Sequence, residues 1–158
     1  METPEFDAAT AHRHFSADCF NKTWEYIEKS DRTAEDDRQM LLCAYASLWH
    51  WTQRDDCGAQ QLSIGHWLLS RVCFLLGHTA EALRHGDECL RHSETISPFY
   101  KAYAREALAR VHASSSAGDS FAAGAHLEHA RALLPEITDD GERAMLEADL
   151  STIRGWNQ

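Results

Sequence analysis

Histidines are the residues of this chain whose type and surroundings best suit metal chemistry. His50, His66 and His112 lie in apolar helical stretches, the first two beside tryptophans. Three imidazoles from three antiparallel helices can form a metal site. The chain has no HExxH segment and no pair of histidines four residues apart, which are the spacings typical of helical zinc sites. The alternative interpretation is that His112 fills an aromatic packing position and that His50 and His66 are partly buried, hydrogen-bonded side chains.

Tryptophans supply a second group with two interpretations. Trp24, Trp49, Trp51 and Trp67 can line a small-molecule cavity, or they can be core residues at helical spacing, which is the more common role of such rings. Trp156 is expected to be a tether for the C-terminal segment or an exposed ring.

Signatures of common enzymes are missing from the sequence. There is no GxSxG, no GxxxxGK[ST] and no GxGxxG segment, so nucleophile-elbow, phosphate-loop and dinucleotide-binding chemistry have no support. Cys57, in the turn Asp55-Asp56-Cys57-Gly58, is the most exposed candidate thiol, but the adjacent carboxylates should raise its pKa. The sequence therefore predicts a non-enzymatic protein with no catalytic residues and no cofactor.

Charge and cysteine content limit the partners and the compartment. The chain has 158 residues, the size of one domain, and 15 basic against 25 acidic residues give a net charge of −10. An anionic protein is a poor partner for nucleic-acid phosphates or anionic lipid, so neither nucleic acid nor membrane is expected. The five cysteines include no CxxC pair, and no basic segment precedes an apolar run near Met1. These features predict a cytoplasmic protein with reduced cysteines and no signal peptide.

Hydrophobic periodicity predicts an all-α fold of about seven helices. The expected layout is a single domain that stacks antiparallel helical hairpins: a loose lead-in (1–14), an N-terminal helix pair (15–57), two hairpins (58–97 and 98–137) and a capping helix (138–158). Alternation with period two, which would indicate strands, is absent. The helix that includes residues 67–76 is apolar on nearly every side and is expected at the centre of the fold.

An internal repeat is visible when the stretches around Gly77 and Gly118 are aligned. Matching small or apolar residues follow at +5 (Ala82, Ala123) and +12 (Cys89, Ala130), and matching pairs precede (Leu69-Ser70, Leu108-Ala109). This pattern resembles the tetratricopeptide repeat, in which a glycine turn joins two helices that cross at a small residue. Two departures are the offset of 41 residues between the copies, against about 34 in that family, and Gly86 at a position where a large aromatic residue is usual.

The N-terminal segments Phe20-Asn21-Lys22-Thr23-Trp24 and Trp49-His50-Trp51 are also similar to a set of small bacterial proteins with a repeat-like helical fold and no known activity.

The tetratricopeptide resemblance implies a concave groove lined by the first helix of each hairpin. In that register Arg71 and Arg110 occupy equivalent positions, and Trp67, Tyr103 and Glu106 share their face. Two planar guanidinium groups suit an acidic peptide or a C-terminal carboxylate, so the expected function is a non-catalytic protein- or peptide-binding scaffold. A homodimer through one exposed helical face is a further expectation.

Two alternatives to this function stay open. Glu106 precedes Arg110 by four residues, the favourable order for an ion pair within one helix, and Arg71 can meet a neighbouring carboxylate. The alternative function is that of a helical protein that binds a metal or a small ligand through His50, His66 and His112. This alternative includes an enzyme that uses the same three residues.

Overall fold

The computed structural model describes residues 6–114 and 118–157, and within them every regular element is helical. The elements are α1 (Ala8–Glu28), α2 (Ala34–Thr52), α3 (Ala59–Leu75), α4 (Thr79–Ser93), α5 (Pro98–His112), α6 (Ser120–Leu133), a 3₁₀ turn (Leu134–Glu136) and α7 (Asp140–Ser151). Helices pack as sequence neighbours, α1 with α2, α3 with α4 and α5 with α6. The predicted all-α fold of helical hairpins is confirmed.

The chain forms two compact units, Met1–Gly58 and Ala59–Gln158. The division falls at the Asp55–Gly58 turn. No helix in residues 6–114 or 118–157 is both long and apolar enough to cross a membrane.

The first unit is the α1/α2 hairpin, and its start differs from the prediction. Helix α1 begins at Ala8 because the Asp7 side chain accepts a hydrogen bond from the Thr10 backbone N–H at 3.2 Å. Residues 8–14, expected as part of a loose lead-in, are therefore helical, and residues 1–5 of that lead-in lie outside the described part of the chain. In the sequence, Thr33 followed by Asp36 predicts a helix N-terminus. In the structure Thr33 caps α2 and forms a capping box with Asp36.

The second unit contains the two predicted repeat copies. Gly77 and Gly118 both adopt positive φ angles, +74° and +60°, a left-handed conformation that glycine takes without steric cost. Gly77 follows the end of α3, and Gly118 directly precedes Asp119, the N-cap of α6. Ala82 and Ala123 are both buried, and the Ser70 hydroxyl of α3 donates to the Ala82 carbonyl of α4 at 2.8 Å. The sequence predicts that the run of serines at residues 114–116 ends α5. Residues 115–117 lie outside the described part of the chain.

Helix α5, and not the predicted α3, is the centre of the second unit. It packs against α3, α4, α6 and α7 and carries eight buried residues, including Glu106. At the end of α3, by contrast, Leu75 is 37% exposed. The prediction that α3 is central was based on its apolar sequence. It was wrong because α5 also buries a charged side chain, Glu106, which the sequence alone suggests is exposed.

A close approach of α5 leaves no room for a side chain at Gly86 of α4. A Cβ atom at Gly86 would lie 2.7 Å from Cδ2 of Leu108, a buried side chain of α5. The equivalent position in the second copy is Leu127, which is buried in the core formed with α7. Leu108 thus fills, from the neighbouring hairpin, the space that a large residue at position 86 would occupy.

Candidate functional site

Two helices of the second unit bring the five predicted ligand-binding residues together. Tyr103, Glu106 and Arg110 lie at i, i+3 and i+7 on α5, so they share one face. Trp67 and Arg71 lie four residues apart on α3, which packs against α5. We call these five residues the Glu106 cluster.

The Glu106 carboxylate, which is 0% exposed, is the centre of this cluster. Its Oε1 accepts hydrogen bonds from Arg71 Nη2 at 2.9 Å and from Arg110 Nε at 2.7 Å. Its Oε2 accepts a hydrogen bond from the indole Nε1 of Trp67 at 3.0 Å. A buried carboxylate is tolerated only when it is paired and hydrogen-bonded, and here both oxygens have donors.

The cluster extends to α7 through two residues that sequence reasoning missed. Tyr103 donates its hydroxyl hydrogen to Asp149 Oδ2 at 2.7 Å, and Arg110 Nη2 donates to the Asp149 carbonyl at 3.0 Å and to Thr152 Oγ1 at 2.9 Å. Helix α7 falls outside the two repeat copies, so no register pointed to these residues. Burial first, and then the bond to Asp149, raises the pKa of Tyr103 above its ordinary value, which keeps the phenol a donor.

Charge in the extended cluster balances, with two guanidinium groups against the carboxylates of Glu106 and Asp149. The ion pair between Glu106 and Arg110, one of the two interpretations left open by the sequence, is present, with a shortest N–O distance of 2.6 Å. Arg71 also meets Glu106 as its neighbouring carboxylate. The arginines therefore bind a carboxylate of their own chain, and they remain 16% and 12% exposed.

The alternative histidine set is divided among three different ring pairs. His50 contacts His12, with Nδ1 atoms 2.8 Å apart, in the first unit. In the second unit His66 contacts His85, with Nδ1 atoms 3.0 Å apart, and His112 stacks on His126. Each predicted metal ligand thus has a different histidine neighbour on the partner helix of its own hairpin.

The pair of His66 and His85 has its charged form suppressed. Burial is the largest cause, and it lowers the pKa of each ring to about 4. The Arg84 guanidinium acts in the same direction on both rings. Their 3.0 Å contact requires one ring nitrogen to donate and the other to accept, which neutral imidazoles of opposite tautomer can do.

The remaining predicted candidates have structural contacts. The guanidinium of Arg54 lies 3.7 Å above the Trp51 ring, and that of Arg131 lies 4.4 Å from the Trp156 ring, so Trp156 is tethered to α6. Burial first, and then Asp56, raises the pKa of Cys57, the direction expected from the sequence. A reactive thiolate at Cys57 is thereby disfavoured.

A pocket of about 540 Å³ lies at the junction of α5 and α6. Its lining includes His112, Ser120, Leu127 and Arg154. None of the five residues of the Glu106 cluster lines this pocket.

Comparisons with protein-family models, with curated proteins and with solved structures found no match for this chain. The functional conclusions below therefore depend on the geometry of the side chains alone.

Proposed function

We propose that this chain is a non-catalytic module that binds a protein or peptide segment through a carboxylate, either an acidic side chain or a C-terminus. The observation that carries the proposal is the state of Arg71. Its Nη2 is fixed by Glu106, while its Nε and Nη1 have no hydrogen-bond partner among the described residues, and the side chain is 16% exposed. A guanidinium with free donors at an accessible edge is suited to a carboxylate ligand.

Glu106 would act as the positioning residue for this anchor. It holds Arg71 from one side and is itself held by Arg110 and Trp67, so Arg71 loses little side-chain freedom when a ligand arrives. Preorganisation of this kind strengthens binding by reducing the entropy cost of ordering a long side chain. The second guanidinium, that of Arg110, offsets the repulsion that Glu106 would exert on an incoming anion.

Aromatic rings beside Arg71 suit the residues that flank a bound carboxylate. The Trp67 ring lies 5.2 Å from the Arg71 guanidinium carbon, and it meets Tyr103 edge to face with centroids 5.5 Å apart. Such rings offer apolar contact next to a charged anchor, a combination frequent in peptide-binding surfaces.

The same proposal includes tetratricopeptide-like stacking of the hairpins and a cytoplasmic location of the protein. The positive φ angles of Gly77 and Gly118 and the packing of α5 on both helices of the preceding hairpin support the repeat architecture. Five free cysteines are typical of a reducing compartment.

Peptides that differ only in their carboxylates test the proposal directly. Fluorescently labelled peptides with Glu or with Gln side chains, each with a free or an amidated C-terminus, are titrated with the protein, and anisotropy reports binding. We expect binding to depend on a carboxylate and to weaken at least about tenfold in Arg71→Gln, since a hydrogen bond to a charged group is worth about 1.5–3 kcal/mol.

Arg38→Gln is the matched control because Arg38 is exposed and pairs with Glu35 of its own helix. It should leave peptide affinity unchanged. Equal affinity of the wild type and Arg71→Gln for every carboxylate peptide, or no carboxylate-dependent binding at all, would contradict the proposal.

A further inference from the structure

Helix α4 presents three side chains that can bind a metal on one face. His85, Glu88 and His92 lie at i, i+3 and i+7, which places them along one stripe of the helix. Helix α3 packs on α4 and brings His66 to this stripe, where its ring stacks on His92 with centroids 5.5 Å apart. The group is separate from the Glu106 cluster and differs from the histidine set expected from the sequence.

Ligand atoms in this group already lie close enough to suggest a cation site. One ligand atom each of His66, Glu88 and His92 falls within 4.8 Å of the other two, and all three residues are partly buried. His92 Nε2 and Glu88 Oε2 are 3.7 Å apart. In a tetrahedral zinc site with bonds of about 2.0–2.2 Å, ligand atoms are about 3.4 Å apart. Side-chain rotations that move the ligand atoms by about 1 Å are therefore enough to form such a site.

A cationic group already contacts two of the three ligands. Arg91 Nη2 donates to Glu88 Oε2 and also lies 3.1 Å from His92 Nε2. The Arg91 side chain is 62% exposed, so it can turn into solvent when a metal ion replaces its charge. The carboxylate and the imidazole are thus arranged around a positive group before any metal binds.

We propose that His66, Glu88 and His92 bind a divalent transition metal of the zinc class, and that His85 orients His66. Imidazole nitrogen favours zinc over magnesium or calcium, which prefer all-oxygen sites. With Nδ1 of His66 engaged by His85 at 3.0 Å, its Nε2 faces the metal, and a hydrogen-bonded second nitrogen is the usual support of a ligating histidine. Two histidines and one carboxylate leave the fourth position open for water or another ligand.

Calorimetric titration of chelator-stripped, tag-free protein with Zn²⁺ tests this site. We expect one equivalent of zinc to bind and to raise the melting temperature. His66→Gln, His92→Gln and Glu88→Gln should each weaken zinc binding by at least about tenfold, and His85→Gln by about 10- to 100-fold. Glu88→Gln keeps the side-chain shape at a partly exposed position, so it reports on binding even if a histidine variant folds poorly.

His129→Gln, which changes an exposed histidine of α6, is the matched control and should bind zinc as the wild type does. Absence of stoichiometric zinc binding overturns the proposal. So does zinc affinity that is unchanged in Glu88→Gln and in the folded histidine variants, because the metal would then bind elsewhere.

Discussion

The indole of Trp67 on α3 donates a 3.0 Å hydrogen bond to the fully buried carboxylate of Glu106 on α5. This bond joins the first helices of two successive hairpins at the point where a charge is removed from water. Because the other carboxylate oxygen is shared by two guanidinium groups, the indole is the donor that satisfies Oε2. Loss of this bond should therefore lower the stability of the second unit.

Trp67→Phe should lower the free energy of unfolding by about 2 kcal/mol. The variant keeps an aromatic ring at this position, but Glu106 Oε2 loses the indole N–H donor. An unsatisfied buried charged group costs about 1.5–3 kcal/mol. Urea unfolding followed by circular dichroism measures the change. Trp49→Phe, at a ring that is 55% exposed, is the control and should change stability by less than about 0.5 kcal/mol. Equal effects of the two variants would contradict this role of Trp67.

Gly86→Ala should destabilise the second unit relative to Gly124→Ala by about 1–3 kcal/mol. An alanine Cβ at position 86 meets Leu108 Cδ2 at 2.7 Å, whereas the one at position 124 meets no atom within 4 Å, and overpacking a dense core costs about 1–3 kcal/mol. Both changes gain the same helix propensity over glycine, so the difference isolates the steric contact. Thermal unfolding of the two variants gives the comparison.

The double variant Gly86→Ala with Leu108→Ala supplies the control for that contact. With alanine at position 108, Gly86→Ala should lower the free energy of unfolding much less than it does with leucine there. A Gly86→Ala cost that is the same with leucine or alanine at position 108 would show that the helices do not meet there.

Stability should decrease as pH falls from about 6.5 to about 4, in part because of His66 and His85. Their pKa values are lowered by burial to about 4 in the folded chain, from an ordinary value of 6.5. In this window the unfolded chain binds more protons than the folded chain, so protonation favours unfolding. The stability that the neutral rings contribute is thus fully present above pH 6.5 and is lost towards pH 4.

Chemical unfolding at a series of pH values between 7 and 5 measures this dependence. His85→Gln should show a shallower loss of stability than the wild type, because one titrating ring is removed. His129→Gln should follow the wild type. An identical slope in His85→Gln and wild type would mean that the pair does not couple folding to protonation.

The helices of this fold could largely be predicted from the sequence because the residues that begin and end them act locally. Gly77, Gly118 and the Thr33 cap act on the turn or helix end in which they sit, so periodicity and capping rules locate them. The helical start at Ala8 was missed because its cap, Asp7, lies in a charged segment without apolar periodicity. The central position of α5 was missed because Glu106 and Arg110 give it the appearance of a polar surface helix.

The five residues of the Glu106 cluster could be selected from the sequence by aligning the stretches around Gly77 and Gly118, but what they contact could not be predicted. The sequence leaves open whether Arg71 faces a ligand or Glu106, since that depends on how closely α3 approaches α5. Asp149 lies on α7 and Thr152 caps its C-terminal end, outside the two aligned stretches. His85 meets His66 because α4 packs on α3. Such long-range partners depend on helix packing, which spacing alone does not encode.

A double-mutant cycle between Arg71 and Glu106 tests most directly whether a buried carboxylate ties α3 to α5. Arg71→Gln, Glu106→Gln and the double variant are unfolded in urea, and the free energies are compared with the wild type. We predict that Glu106→Gln alone costs about 3–5 kcal/mol and that the two changes are coupled by about 1–3 kcal/mol. Additive effects, with a coupling energy near zero, would contradict the account, because Arg71 would then be independent of Glu106.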